Sequence, residues 1–212
     1  MKNIYLLLFL ILGLQQAFCQ DSPNTDDINY QRPDYKYSVY TTWLTFSNFG
    51  NPETNTHHYE LRFGYQLTPK DQIGIKFTTW KLFASLGIDI WDSKFLDRDF
   101  FFPGRLRETG FGITYQRKLW KGLFATLEIA PLFTKYIDES GKTVGNGFKI
   151  YNSYHIGYHL PLFKKGNFYI EPQLHVNHWP VNNNVPSDFK VEEDKWDNIF
   201  LIEPNIYFGI KF

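Results

Sequence analysis

The sequence predicts an all-β fold, an eight-stranded antiparallel up-and-down transmembrane β-barrel, on three observations. Aromatic residues make up 19% of the chain, a composition that favours strands over helices. Runs of period-two alternation recur along it, and no stretch beyond the N-terminal region has helical periodicity. The connections between the runs alternate short and long, so the long ones gather at one end of an up-and-down sheet.

Lys2 precedes the apolar run Ile4 to Leu14, and "QQAFCQ" sets Ala17 and Cys19 at the small-residue positions of a cleavage site. Residues 1–19 therefore read as a secretory signal, too short in its apolar core to span a bilayer as a helix. Residues 20–35 read as a flexible periplasmic leader, and residues 36–212 as the barrel domain. With 22 basic against 22 acidic residues, the chain gives no electrostatic reason to bind nucleic acid.

The eight expected strands run from Tyr37 to Asn48, His57 to Leu67, Gln72 to Ala84, Arg107 to Leu119, Leu123 to Tyr136, Phe148 to Leu160, Asn167 to Trp179 and Ile199 to Phe212. "TPKD", "WKG" and "PLFKKG" are the short turns. "FGNPETNT", "SLGIDIWDSKFLDRDFFFPGR", "IDESGKTVGNG" and "VNNNVPSDFKVEEDKWD" are the long connections. The second and fourth of these mix aromatic and acidic residues, and are expected to fold together as a cap over one mouth.

Alternation alone leaves the inner face undecided. One parity is almost free of charge, with Leu61, Phe63, Ile75, Phe77, Phe111 and Ile113 typical of it. The other carries Gly64, Gly74, Gly110, Gly112, Gly157 and Gly209, which make sense inside a narrow ring where large neighbours need room. The final strand, with Phe208, Ile210 and Phe212 on one face, resembles the C-terminal signature strand of small Gram-negative outer-membrane barrels. That resemblance implies insertion through the barrel-insertion machinery, which reads the strand ending at Phe212. It also implies contact with outer-membrane lipid and location in the cell outer membrane.

The polar parity then faces inward, and its charged members form an expected interior network: Glu60, Arg62, Lys76, Glu108, Glu128, His155, Glu171 and Glu203. Buried charges must be paired, so these should plug the lumen. Pairing through the short turns sets Arg62 beside Lys76 and His155 beside Glu171, with Glu128 on the other side of His155. The repeated "IEP" motif points Glu171 and Glu203 inward on neighbouring strands, where they could share a proton or cation; a bulge is the alternative.

Three constellations bear on catalysis or metal binding. His155 and His159 share a face but lie roughly 13 Å apart at the usual strand rise, too far to share a metal; no metal and no cofactor are expected. Ser153 and His155 are spaced as a nucleophile and base could be. The order resembles that of lipid A deacylase barrels in reverse, Ser-x-His in place of His-x-Ser, and on the inward face. At the long-loop rim lie His57, His58, Asp92 and Ser93. "WDS" resembles the Asp-Ser pair of the outer-membrane palmitoyltransferases, which implies His58, Asp92 and Ser93 as candidate catalytic residues. The expected function is a non-enzymatic envelope or surface-binding component with a plugged interior and structured loops. The alternatives are a lipid A-modifying barrel enzyme, by acyl transfer or deacylation, and a small-solute pore.

Overall fold

The computed structural model describes residues 35–46, 56–89, 91–163 and 166–212. The expected signal, all but the last residue of the leader, and most of the first long connection lie outside the described residues. What is described is an antiparallel up-and-down sheet: β1 (Tyr37–Thr42), β2 (His57–Gln66), β3 (Asp71–Ala84), β4 (Phe101–Trp120), β5 (Leu123–Ile137), β6 (Thr143–Tyr158), β7 (Leu160–Leu162), β8 (Phe168–Asn183) and β9 (Ile199–Lys211). Each strand pairs with its neighbour, β9 returns to β1 and β6 pairs with β8, so eight strands close in a ring. The short β7 continues the line of β6 after a break at His159, pairing with the start of β8.

Several strand limits differ from expectation for identifiable reasons. The first strand stops at Thr42, not Asn48. Thr42 Oγ1 accepts from the Leu44 amide and donates to Asn205 Oδ1, which turns the chain into a 3-10 turn at Trp43–Thr45. The fourth begins at Phe101, six residues early. "FFPG" looks like a turn, but Gly104 keeps the strand going at φ 138°, where a Cβ would lie 2.1 Å from the Ile137 carbonyl oxygen. The seventh runs on past Trp179 through Pro180, which is exposed at the rim. Among the described residues an α-helix, α1 (Ser187–Glu193), departs from the all-strand expectation. Pro186 precedes it, Asp188 lies in its first turn and Phe189 is buried, but seven residues are too few to show a helical period.

The alternation is inverted relative to a water-soluble fold. Ile113 is 64% exposed and Phe77 52%, whereas Glu108 and Glu128 are fully buried. Inward glycines make room for large inward neighbours: a Cβ on Gly209 would fall 2.3 Å from the Tyr169 ring, and one on Gly157 2.5 Å from that of Phe124. Aromatic layers alternate with charged ones inside the ring. Tyr40, Tyr169 and Tyr207 form one layer; Trp80, Leu132, Tyr151, Trp179 and Phe200 form another.

Above the long-connection end, Phe102, Leu106, Tyr136 and Phe189 make a third apolar cluster. The Phe102 and Phe189 rings stand 5.5 Å apart, and those of Phe100 and Trp196 also 5.5 Å. The second and fourth long connections thus pack together as the sequence suggests.

Candidate functional site

The most concentrated chemistry lies inside the ring. Glu60 and Arg62 come from β2, Lys76 from β3 and Glu128 from β5, two charges of each sign and all buried. Arg62 Nε donates to Glu60 Oε1 at 2.5 Å, and its Nη2 lies 2.7 Å from Glu128 Oε2. That second contact is an ion pair without hydrogen-bond alignment, since Glu128 Oε2 accepts no directed bond. Lys76 Nζ donates to Glu128 Oε1 and stands 3.8 Å from Glu60 Oε2. Arg62 and Lys76 are paired in register, as expected, and two like charges are tolerated there because each is bracketed by the two carboxylates. Gly112 on β4 lies opposite Lys76 in register, and the lysine reaches past it to Glu128 of β5; a Cβ at Gly112 would stand 3.1 Å from that of Ala130.

The quartet is walled by aromatic rings. The Arg62 guanidinium carbon sits 4.7 Å from the Tyr207 ring centroid, while the Tyr207 hydroxyl accepts from Nη2 at 3.0 Å. On the other side Lys76 Nζ is 5.7 Å from the Trp80 ring. Beyond that ring, toward the cap, Glu108 accepts from Trp80 Nε1 at 2.5 Å and from Lys149 Nζ at 2.7 Å. Lys149 also lies 4.0 Å from Glu193 of α1, which ties the cap to the wall. Burial pushes the Glu193 carboxyl above its ordinary range, with Lys149 opposing.

His155 meets neither Glu171 nor Glu128, contrary to expectation. The break at His159 and the turn after β7 set the register so that His155 faces His175, their rings stacked at 3.7 Å between centroids. Glu171 instead bonds His159 Nδ1 at 2.7 Å, and Lys211 Nζ lies 3.0 Å from the same imidazole's Nε2. Glu171 and Glu203 do not adjoin either: Glu171 pairs with Tyr207, and Glu203 with His175. At the second "IEP" the register shifts and Ile202 takes φ 58°, so a bulge accounts for the motif there. No register shift accompanies the first.

Ser153 and His155 do touch, with Oγ 2.7 Å from Nε2. The Ser153 hydroxyl has a second acceptor besides the imidazole, the Asn177 side chain. Asn177 Nδ2 donates to Glu203 Oε2 at 2.6 Å, which leaves Asn177 Oδ1 to accept the Ser153 hydroxyl proton. Nδ1 faces Gln173 Oε1 rather than a carboxylate, so no acid orients the ring as a nucleophile's base would need. Ser153 and His155 are both buried, 2% and 4% exposed.

The rim candidates are not assembled. His58 turns inward to Glu60 at 3.4 Å and packs on Trp80. Asp92 caps a 3-10 turn by accepting from the Lys94 amide, and Ser93 is exposed. Among the described residues, no hydrogen bond or ion pair joins His58 to Asp92 or Ser93. No three His, Cys, Asp or Glu side chains among them converge as a metal site would need.

Sequence reasoning missed the aromatic layers, although Trp80 and Trp179 lie on the inward parity. It also missed Glu193, which reaches the interior from the helix. On the cap, Arg98, Phe101, Phe102, Arg105, Glu139 and Glu192 line an open groove of about 780 Å³ together with Pro103, Asp188 and Val191. No family model, curated protein or solved structure matches the chain.

Proposed function

We propose that the ring is a transmembrane β-barrel of an outer membrane, lipid against its apolar wall and a plugged polar interior, serving as a non-enzymatic envelope or surface-binding component. The observation that carries this reading is the inversion of the pattern. A closed sheet that buries Glu60, Arg62, Lys76, Glu108 and Glu128 while exposing Leu61, Ile75, Phe77, Phe111 and Ile113 has its large apolar surface where water would be in a soluble protein. Only a closed sheet leaves no backbone donors or acceptors unpaired against hydrocarbon, and this sheet closes. β9 together with the Phe212 that follows it, carrying Phe208, Ile210 and Phe212 on one parity, is the segment the insertion machinery would read.

The filled interior favours this reading over a solute pore, and the cap groove is the surface on which a ligand would be met. Fractionation tests the assignment. The full chain should sediment with envelopes through a high-salt wash and leave them only in detergent. Recovery in the aqueous supernatant without detergent would overturn it.

A further inference from the structure

Charge is spread unevenly over the outer wall. At the short-turn end, the outward strand residues Asp71 and Arg117 neutralise each other at 2.7 Å. At the long-connection end the register sets Lys81 of β3 opposite Arg107 of β4, and Arg107 opposite Lys135 of β5. His57 of β2 stands opposite Lys81 on the far side. Directly opposed like charges destabilise an antiparallel pair, so this row works against the sheet that carries it. Among the described residues no carboxylate is ion-paired with Lys81, Arg107 or Lys135.

The rows beside it say what is missing. One outward step toward the middle of the wall, Tyr59, Thr79, Thr109 and Phe133 are in register, and the Thr79 and Thr109 hydroxyls bond each other at 2.9 Å. One step further lie Leu61, Phe77 and Phe111, all exposed. The wall thus passes from cations, through hydroxyl-bearing and aromatic side chains, to hydrocarbon within three rows. That is the order of a leaflet read from headgroup phosphate to acyl chain.

We propose that Lys81, Arg107 and Lys135 form a docking strip for the phosphate groups of anionic lipid headgroups. The inference rests on the lipid-facing reading of the wall and goes beyond it by naming the lipid chemistry and its place. The strands of Lys81 and Lys135 are two strand spacings apart, roughly 10 Å, with Arg107 between them. A phosphate on either side of the guanidinium would meet two cations, one of them with a planar pair of donors.

Native mass spectrometry of the detergent-purified full chain provides the test, with phosphatidylglycerol and phosphatidylcholine of the same acyl chains as probes. Phosphatidylglycerol should be retained in preference to phosphatidylcholine. The preference should fall by about fivefold for each cation neutralised in Lys81→Gln, Arg107→Gln and Lys135→Gln. Arg117→Gln should leave it intact.

Thermal unfolding separates docking from a merely structural role. In zwitterionic detergent, relief of repulsion should leave the neutralised variants as stable as wild type or more so; in phosphatidylglycerol they should be less stable. If the triple variant does not fold, Lys135→Gln alone, at an exposed position, carries the test.

Equal retention of the two lipids, or a preference untouched by the substitutions, would overturn the strip while leaving the membrane reading standing. Displacement of the lipid by inorganic phosphate at equal concentration would overturn it in favour of a free-phosphate site. A chain that is water-soluble without detergent would overturn both readings.

Discussion

Arg62 shows why the interior holds together. Its guanidinium touches Glu60, Glu128 and the Tyr207 hydroxyl at once, something a single ammonium could not do. Removing it would leave two buried carboxylates with Lys76 as their one remaining strong cation partner in the quartet. Arg62→Ala should therefore cost about 3 to 5 kcal/mol in denaturant-driven unfolding, and Arg62→Lys should restore only part of it. A loss below about 1 kcal/mol would mean that water screens the network. The inward direction of Glu60, Arg62, Lys76, Glu108 and Glu128 is legible in the sequence because a strand has period two. The partners are not. His155 and Glu171 miss each other because the connection through Leu160–Leu162 extends the hairpin ladder, and nothing in "PLFKKG" announces where that ladder ends.

At the scale of elements, the outer faces of β3 and β4 and the cap make separate predictions. Ile75 and Ile113 are opposite each other in register on the exposed wall. Ile113→Arg should lower folded stability in lipid by about 2 to 4 kcal/mol if it lies near the bilayer midplane, measured by unfolding from vesicles.

The cap responds to pH through Glu193. Its carboxyl holds its proton more tightly when folded, so the stabilisation it lends is full below its ordinary value of 4.5 and is lost as pH rises above that value. Hydrogen exchange of the α1 amides should accordingly quicken as pH rises, beyond the intrinsic dependence, and Glu193→Gln should flatten the difference. Glutamine keeps an acceptor for Asn182 Nδ2 while shedding the charge. A cap made by the two aromatic connections is foreseeable from their composition. The helix within it is harder to foresee, because Pro186 and Asp188 are its only local signals. The early start of β4 is hidden for the opposite reason: Pro103 and Gly104 advertise a turn, and only the approach of the Ile137 carbonyl shows why glycine stands there within a strand.

For the whole molecule, closure and inversion act together. Charged layers of the interior lie against aromatic ones, and the proposed plugged interior follows from that stacking. Purified protein in planar bilayers should show no steady conductance, and stable nanosiemens-scale openings would restore the pore alternative. The eight-strand count and the alternating connection lengths are readable from the residues, since both follow from turns and periodicity. The side of the sheet that faces lipid is the central claim, and nitroxide collision rates test it most directly. A spin label at Ile113→Cys, in vesicle-bound protein with Cys19 absent or replaced, should collide with dissolved oxygen far more often than with a polar nickel chelate. One at Ser153→Cys should be shielded from both. Nickel collisions dominating at position 113 would contradict the account.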